Sequence, residues 1–307
     1  MGAKPVLRVA VENDNEADPS APALAQTQGA GWMAKCRAKS AQACQLAAAA
    51  VACLREASDS RSRCVLASYV CKNLLRRCGV RLRLEEEVNA RLGGIEVTFR
   101  PLQGELYLFK EIFIDQVYEK HPAFCLRPGW RVFDVGANIG LFTLRAALCG
   151  AKQAFAFEPN PETFARLQVN LRRNRLSNVR AIAKAVGEVP RRAWLVPGAT
   201  STLAQMAAVP VCGASPNVEI EVTTLSAVLQ QERILVVNLL KLDVEGAEAE
   251  VLRGAESELA RVERIVMEYH SAELLAACER ILRRHGFRRV LTASPAYAYF
   301  LGASVDL

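Results

Sequence analysis

The sequence predicts an α/β protein built on a doubly wound, mostly parallel sheet and preceded by a helical extension. Three observations predict it. From Trp130 onward, apolar runs of strand length alternate with amphipathic helical segments. The first of these strands runs into a glycine turn that opens a helix. The second ends on an acid eighteen residues beyond the last glycine of that turn. A chain of 307 residues, 51% hydrophobic, suffices for one full α/β domain and a smaller element.

In order along the chain, residues 1–34 mix Pro, Ala, Asn, Asp and Gln with no apolar period and are expected to form a disordered arm. Residues 35–92 shift to Ala, Arg, Cys and Leu with few breakers, which predicts a basic helical extension of two or three helices. The catalytic-type domain is placed at 93–307. Gly93 and Gly94 mark a break, Ile95–Phe99 alternates like a strand, and Glu111–Tyr118 reads as a short helix. Continuous apolar runs at Val132–Val135, Ala154–Phe157, Val179–Ala183, Leu235–Leu242 and Ile265–Met267 suit strands buried on both faces. Between them, Phe164, Leu167 and Leu171 share a helical face, as do Val251, Leu252, Ala255 and Leu259, and then Leu274, Leu275, Cys278, Ile281 and Leu282. Phe287–Val290 and Tyr297–Leu301 close the sheet as two final strands, the last a hairpin edge. The Gly, Pro, Ala and Ser stretch at 197–217 is expected to be a mobile lid.

Composition narrows the class. Residues 35–91 hold twelve Lys or Arg against five Asp or Glu, so the whole net charge of +7 resides there. Such a segment suits nucleic acid, an acidic partner or an anionic membrane surface, yet no aromatic residues interleave with the charge, so solvated helix faces are the favoured reading. The ten cysteines form no zinc-type pair; Cys64, Cys71 and Cys78, seven apart, share a helical face and read as small core residues in a reduced protein. The longest apolar stretch, Ala43–Leu54, is about half of what a bilayer needs. We expect no membrane span and no export, hence a cytoplasmic protein; oligomeric state is left open.

The chemistry-bearing residues gather at strand ends. The turn runs Asp134-Val135-Gly136-Ala137-Asn138-Ile139-Gly140. Glycine permits close approach of a ligand to the main chain, and the helix start adds unpaired N–H groups. Gly136 and Gly140 enclose three residues, so the dinucleotide fingerprint is absent, which argues against a nicotinamide-dependent oxidoreductase. An acid at the second strand's tip, Glu158, suits both hydroxyls of a ribose, with Asn160 and Pro161 placed to start the next helix. The fourth strand ends in Lys241-Leu242-Asp243-Val244-Glu245-Gly246-Ala247-Glu248 and the fifth in Glu268-Tyr269-His270. Crowded carboxylates at a strand end hold cations or move protons, although the acids before the helix also favour its dipole. Asp243, Glu245, Glu268 and His270 are expected to face one acceptor, with His270 as a base or, equally, a histidine satisfied by main chain. Lys241 reads as a strand residue paired with an acid. Mg²⁺ on Asp243 with Glu245 or Glu268 is the less favoured alternative, and no metal is assigned.

The segments FIDQVY, FDVGANIGLFTL, AFEPNPETFARLQVN, LLKLDVEGAEAEVLRGA and MEYH, in this order, resemble the FkbM family of methyltransferases over about residues 109–290. The resemblance implies a class I, Rossmann-like seven-stranded sheet that binds S-adenosylmethionine and O-methylates sugars or polyketide-type natural products. It implies that Asp134, Gly136, Asn138 and Gly140 line the methionine end, Glu158 the ribose, Lys184 and Ala185 the adenine, and Asp243 the floor near the methyl group. Asp243, His270 and Glu245 are the expected catalytic residues. One departure is visible: Thr224-Leu225-Ser226 stands where the family usually has Thr-Leu-Asp, and Ser226 is expected to cap the following helix. The acceptor is expected to be a small molecule, with an amide nitrogen, a macromolecule or a non-catalytic nucleic-acid-binding scaffold as alternatives.

Overall fold

The computed structural model describes residues 47–77, 80–83, 85–196, 205–207, 218–293 and 296–305. Helix α1 covers 47–56 and α2 covers Ser60–Arg77. A hairpin follows, β1 (Val88–Leu92) and β2 (Ile95–Phe99), whose register closes at Leu92 opposite Ile95. Its two-residue loop is Gly93-Gly94, both at positive φ (53° and 85°), the conformation that matches hairpin twist. Helix α3 (Glu105–Phe109) continues into a π-helical turn at Lys110–Ile114.

Then the sheet begins: β3 (Arg131–Val135), α4 (Leu141–Leu148), β4 (Gln153–Phe157), α5 (Pro161–Arg173) and β5 (Val179–Ile182). After β5 come β6 (Ala185–Val186), β7 (Arg191–Val196), β8 (Gln205–Ala207) and β9 (Val218–Thr223), which make a separate four-stranded sheet in the order β6-β9-β7-β8. The chain returns through α6 (Leu225–Gln231), β10 (Leu239–Leu242), α7 (Glu248–Arg253), β11 (Arg264–Glu268), α8 (Ala272–Arg284), β12 (Arg288–Ala293) and β13 (Tyr297–Leu301). The main sheet has seven strands in the order β12-β13-β11-β10-β3-β4-β5, with β13 antiparallel to both neighbours and the remaining pairs parallel. The expected fold is present.

The strand order reverses between β3 and β10, and in such sheets the crevice at the carboxyl ends of those strands is where ligands bind. The central strands are buried on both faces, with the Phe133 and Phe155 rings stacked 4.6 Å apart. Burial of this kind stabilises by about 25 cal/mol per Å² of apolar area. The site therefore stands at the ends of buried strands.

Several expectations need correction. Residues 88–92 are strand, because Val88, Ala90 and Leu92 are buried while Asn89 and Arg91 are exposed, a period of two hidden in helix-like composition. A boundary at 92/93 would cut the β1–β2 hairpin. Ala50, Cys53, Ala57, Leu66 and Tyr69 of the extension share one core with β1, β2 and the face of β3. The expected helix at Glu111–Tyr118 is instead the α3 and π segment, which ends at Ile114. The fourth strand starts only at Leu239, since Leu235 is 72% exposed. Cys53 and Cys278 are buried, but Cys64 and Cys71 are exposed on α2, so the core reading fails for those two. Thr224, and not Ser226, caps α6 by accepting from the Ala227 N–H. The residues 1–46, Cys78 and most of the 197–217 stretch lie outside the described residues. No described helix is long and apolar enough to cross a membrane.

Candidate active site

The glycine turn is locked by main-chain geometry. At Gly136 (φ 79°) a Cβ would lie 1.8 Å from the Asp243 carbonyl oxygen, so only glycine lets β3 and β10 exit side by side. The N–H groups of Gly136 and Ala137 both donate to the Phe157 carbonyl, at 3.1 and 2.8 Å. Asn138 takes the left-handed conformation (φ 50°), which turns its N–H onto Glu158 Oε2 at 3.0 Å. Glu158 Oε1 accepts from the Asn160 N–H at 2.9 Å, and Asn160 in turn caps α5. Burial pushes the Glu158 carboxyl up to about 7, against the two N–H bonds that favour its charged form. Gly140 (φ 87°) starts α4.

Behind the turn lies a buried ion cluster. Lys241 Nζ donates to the Gly136 carbonyl at 2.8 Å and sits 3.1 Å from Asp134 Oδ1 and 3.3 Å from Asp243 Oδ2. Burial alone would lower the ammonium, but the two carboxylates outweigh it and hold Lys241 above the usual lysine range. Asp134 accepts from the Thr143 hydroxyl at 2.6 Å, and the Tyr118 hydroxyl donates to Asp243 Oδ2 at 3.0 Å. The Lys241 ammonium also lies 5.4 Å from the centre of the Tyr118 ring. Lys241 is thus a fixed cation paired with acids, as its sequence position suggested.

In front of the turn is a cavity of about 380 Å³, within the size range of small-molecule sites. Strand order arranges its lining. Lys184 and Ala185 follow β5, Glu158 follows β4, Gly136 and Asn138 follow β3, Asp243 and Glu245 follow β10, and Glu268 ends β11. Beyond Glu268 the wall is completed by Tyr297, its register partner on β13, and by Tyr107, Glu111 and Tyr118 from the segment before the sheet. The Tyr297 hydroxyl donates to Glu111 Oε1 at 3.3 Å, and its ring packs edge-on to Tyr118 with centres 5.4 Å apart. One half of the cavity is therefore main chain, the other side chains rich in acid and phenol.

Burial raises Glu111 to about 7, with hydrogen bonds from Tyr107 and Tyr297 opposing and the charge of Asp243 adding to the rise. Glu268 goes to about 8, through burial first and then repulsion from Asp243 and Glu111. At the rim, His270 Nε2 lies 3.3 Å from Glu245 Oε2 and Nδ1 lies 3.1 Å from Glu248 Oε1. Hydrogen bonds to Glu245 and Glu248 lift the imidazole to about 10, so it is a cation at neutral pH.

Of the residues expected at the site, Gly136, Asn138, Glu158, Lys184, Ala185, Asp243 and Glu245 line the cavity, as does Glu268. Asp134 and Gly140 do not; Asp134 is fully buried one layer behind, where it anchors Lys241. His270 does not line it either, and both of its ring nitrogens are engaged, Nε2 by Glu245 and Nδ1 by Glu248. Ligand-type atoms of Asp243, Glu245 and His270 lie within 4.8 Å of one another, a spacing compatible with a cation, although the imidazolium already balances Glu245 and Glu248. Tyr107, Glu111, Tyr118 and Tyr297 were missed. Only the fold brings them to the strand ends.

The Methyltransferase FkbM domain matches residues 134–289. Over 222 aligned residues the chain is 33% identical to the 31-O-demethyl-FK506 methyltransferase FkbM of Streptomyces tacrolimicus, covering 62% of this chain and 85% of that protein. It is 34% identical to Methyltransferase 1 of Beauveria bassiana, covering 50% of this chain and 68% of that protein. It is 32% identical to the hexuronic acid methyltransferase AglP of Haloferax volcanii, covering 46% of this chain and 56% of that protein. A solved FkbM methyltransferase from Methylobacillus flagellatus superimposes with a TM-score of 0.44 at 16% identity, covering 82% of this chain and 58% of that one. With its seven-stranded sheet, its glycine turn and a family match over half its length, this chain belongs to the FkbM methyltransferase family.

Proposed function

We propose that this methyltransferase uses S-adenosylmethionine to methylate a hydroxyl of a small-molecule acceptor such as a sugar or polyketide-type compound. The observation that carries the reading is the division of the cavity between a main-chain cradle ending on Glu158 and a carboxylate-rich end around Asp243 and Glu268. The donor set fits the cofactor. A buried carboxylate at the β4 tip suits a ribose diol, the turn at Gly136 and Asn138 leaves room for the amino-acid end, and the acids beyond suit a sulfonium charge. Ala185, Val186 and Leu195, with Lys184 beside them, offer a largely apolar wall for a base. When bound, the cofactor supplies an electrophilic methyl group.

This chain's own task is then to orient the acceptor and remove its proton. Asp243 is held rigid by Lys241 and Tyr118, which favours a positioning role, and Glu245 is fixed at the rim by His270. An attacking hydroxyl must lose its proton, and the carboxyls of Glu111 and Glu268 line the cavity where they can take it.

The reading is tested by incubating the protein with methyl-labelled S-adenosylmethionine and a panel of sugars, macrolide alcohols and amides. Label on a hydroxyl oxygen supports it. Transfer confined to amide nitrogen contradicts the O-methylation part.

A further inference from the structure

Resting on the cofactor and acceptor just proposed, the geometry points to Glu111 and Glu268 as a paired carboxyl site, flanked by Tyr297, that receives the acceptor's hydroxyl proton. The two acids come from segments far apart in the sequence, one before the main sheet and one late in it. Glu268 closes β11, its register partner Tyr297 stands beside it on β13, and that hydroxyl donates to Glu111 Oε1 at 3.3 Å. Both acids line the cavity. Glu111 sits on the π-helical turn at Lys110–Ile114, and such turns are rare and often found at functional sites. It also lies outside the stretch that matches the FkbM domain, residues 134–289.

Elimination supports the pair. The carboxylate of Asp243 already accepts from the Tyr118 hydroxyl at 3.0 Å and sits 3.3 Å from the Lys241 ammonium, so both neighbours hold it in place. Glu245 and Glu248 are held by His270. Among the described residues nothing donates a hydrogen bond to the Glu268 carboxyl, and Glu111 is met by the phenols of Tyr107 and Tyr297. The charged and titratable groups that face the pair are Tyr107 of α3, Asp115 and Tyr118 just after the π-helical turn, Asp243 and Lys241 at the sheet centre, Tyr297 on β13, and His270 beyond β11. Carboxyls raised by burial toward neutral pH are suited to accept a proton in one step and lose it in the next. In the reaction the acceptor oxygen forms its bond to the transferred carbon, the S–CH₃ bonding pair stays on sulfur, and the hydroxyl proton passes to the Glu111–Glu268 pair.

The test compares proton release when the intact protein binds S-adenosylmethionine or S-adenosylhomocysteine, measured by calorimetry at pH 7.5 in buffers of different ionisation enthalpy. The sulfonium adds one positive charge to the cavity and the product lacks it, so the pair should ionise for the first ligand only. We expect release of roughly half a proton with S-adenosylmethionine and far less with the product. Glu111→Gln should at least halve that release while S-adenosylhomocysteine affinity stays within about twofold. Tyr297→Phe removes a bond that favours the charged carboxylate, so its release should be half complete at a higher pH. With an acceptor identified by the labelled panel, Glu111→Gln should lower kcat about a hundredfold and leave the cofactor KM nearly unchanged. Equal proton release for both ligands, or unchanged release in Glu111→Gln, overturns the pair. Failure of either ligand to bind the intact protein instead overturns the cofactor reading beneath it.

Discussion

The two halves of the cavity are built in opposite ways. The cradle half comes from one contiguous stretch, 134–160, in which Gly136, Asn138 and Glu158 are fixed by bonds from main-chain N–H groups of that same stretch. The acid half is assembled from Glu111, Asp243, Glu268 and Tyr297, drawn from four separate segments and held by side-chain bonds and charge. Contiguous main-chain sites tolerate little change, whereas assembled side-chain sites vary residue by residue. A shared chemistry can sit in the first and acceptor choice in the second.

Lys241 joins the halves, and its loss should have the largest effect. Lys241→Met leaves Asp134 and Asp243 facing each other without a cation, at a cost of roughly 3 to 5 kcal/mol in urea unfolding. A loss under about 1 kcal/mol would show the halves to be independent. Gly136→Ala tests the cradle alone. Its new methyl would collide with the Asp243 carbonyl at positive φ, so roughly 2 to 3 kcal/mol should be lost together with cofactor binding. Retained binding would mean that the turn shifts more freely than its hydrogen bonds indicate.

A pH comparison sharpens the contrast further. Glu158 and Glu268 both have folded-state values raised above the ordinary 4.5, to about 7 and about 8. Each therefore contributes stability that is fully present below about 4.5 and is lost as pH rises through its folded value. Glu268→Gln should remove the part of the decline in Tm that extends to about pH 8, and Glu158→Gln the part that ends near 7. Identical profiles would erase the distinction. The smallest effect is expected at Lys184, whose side chain is 44% exposed and pairs with exposed Glu221. Lys184→Ala should change S-adenosylhomocysteine affinity by less than about threefold.

Legibility in the sequence follows the same division. Strands β3, β4 and β11, and the capped start of α5 at Asn160-Pro161, were plain because apolar runs, glycine spacing and caps are local signals. The cavity-lining residues of the cradle were readable for that reason. The small sheet of β6 to β9 was not foreseen, although Val218, Ile220 and Val222 alternate with Glu219 and Glu221 in a period of two. His270 was readable as a strand-end residue, but its two carboxylate partners depend on how α7 meets β11. Glu111 and Tyr297 lie 186 positions apart, and no local pattern announces their bond.

The central claim is that Glu158 and the glycine turn form an S-adenosylmethionine cradle. It is tested most directly by calorimetric titration of the intact protein and of Glu158→Ala with S-adenosylhomocysteine, with NADH as control. The intact protein should bind S-adenosylhomocysteine, Glu158→Ala should bind it at least about tenfold more weakly, and NADH should not bind. Equal affinity in the intact and variant proteins, or tighter binding of NADH, would contradict it.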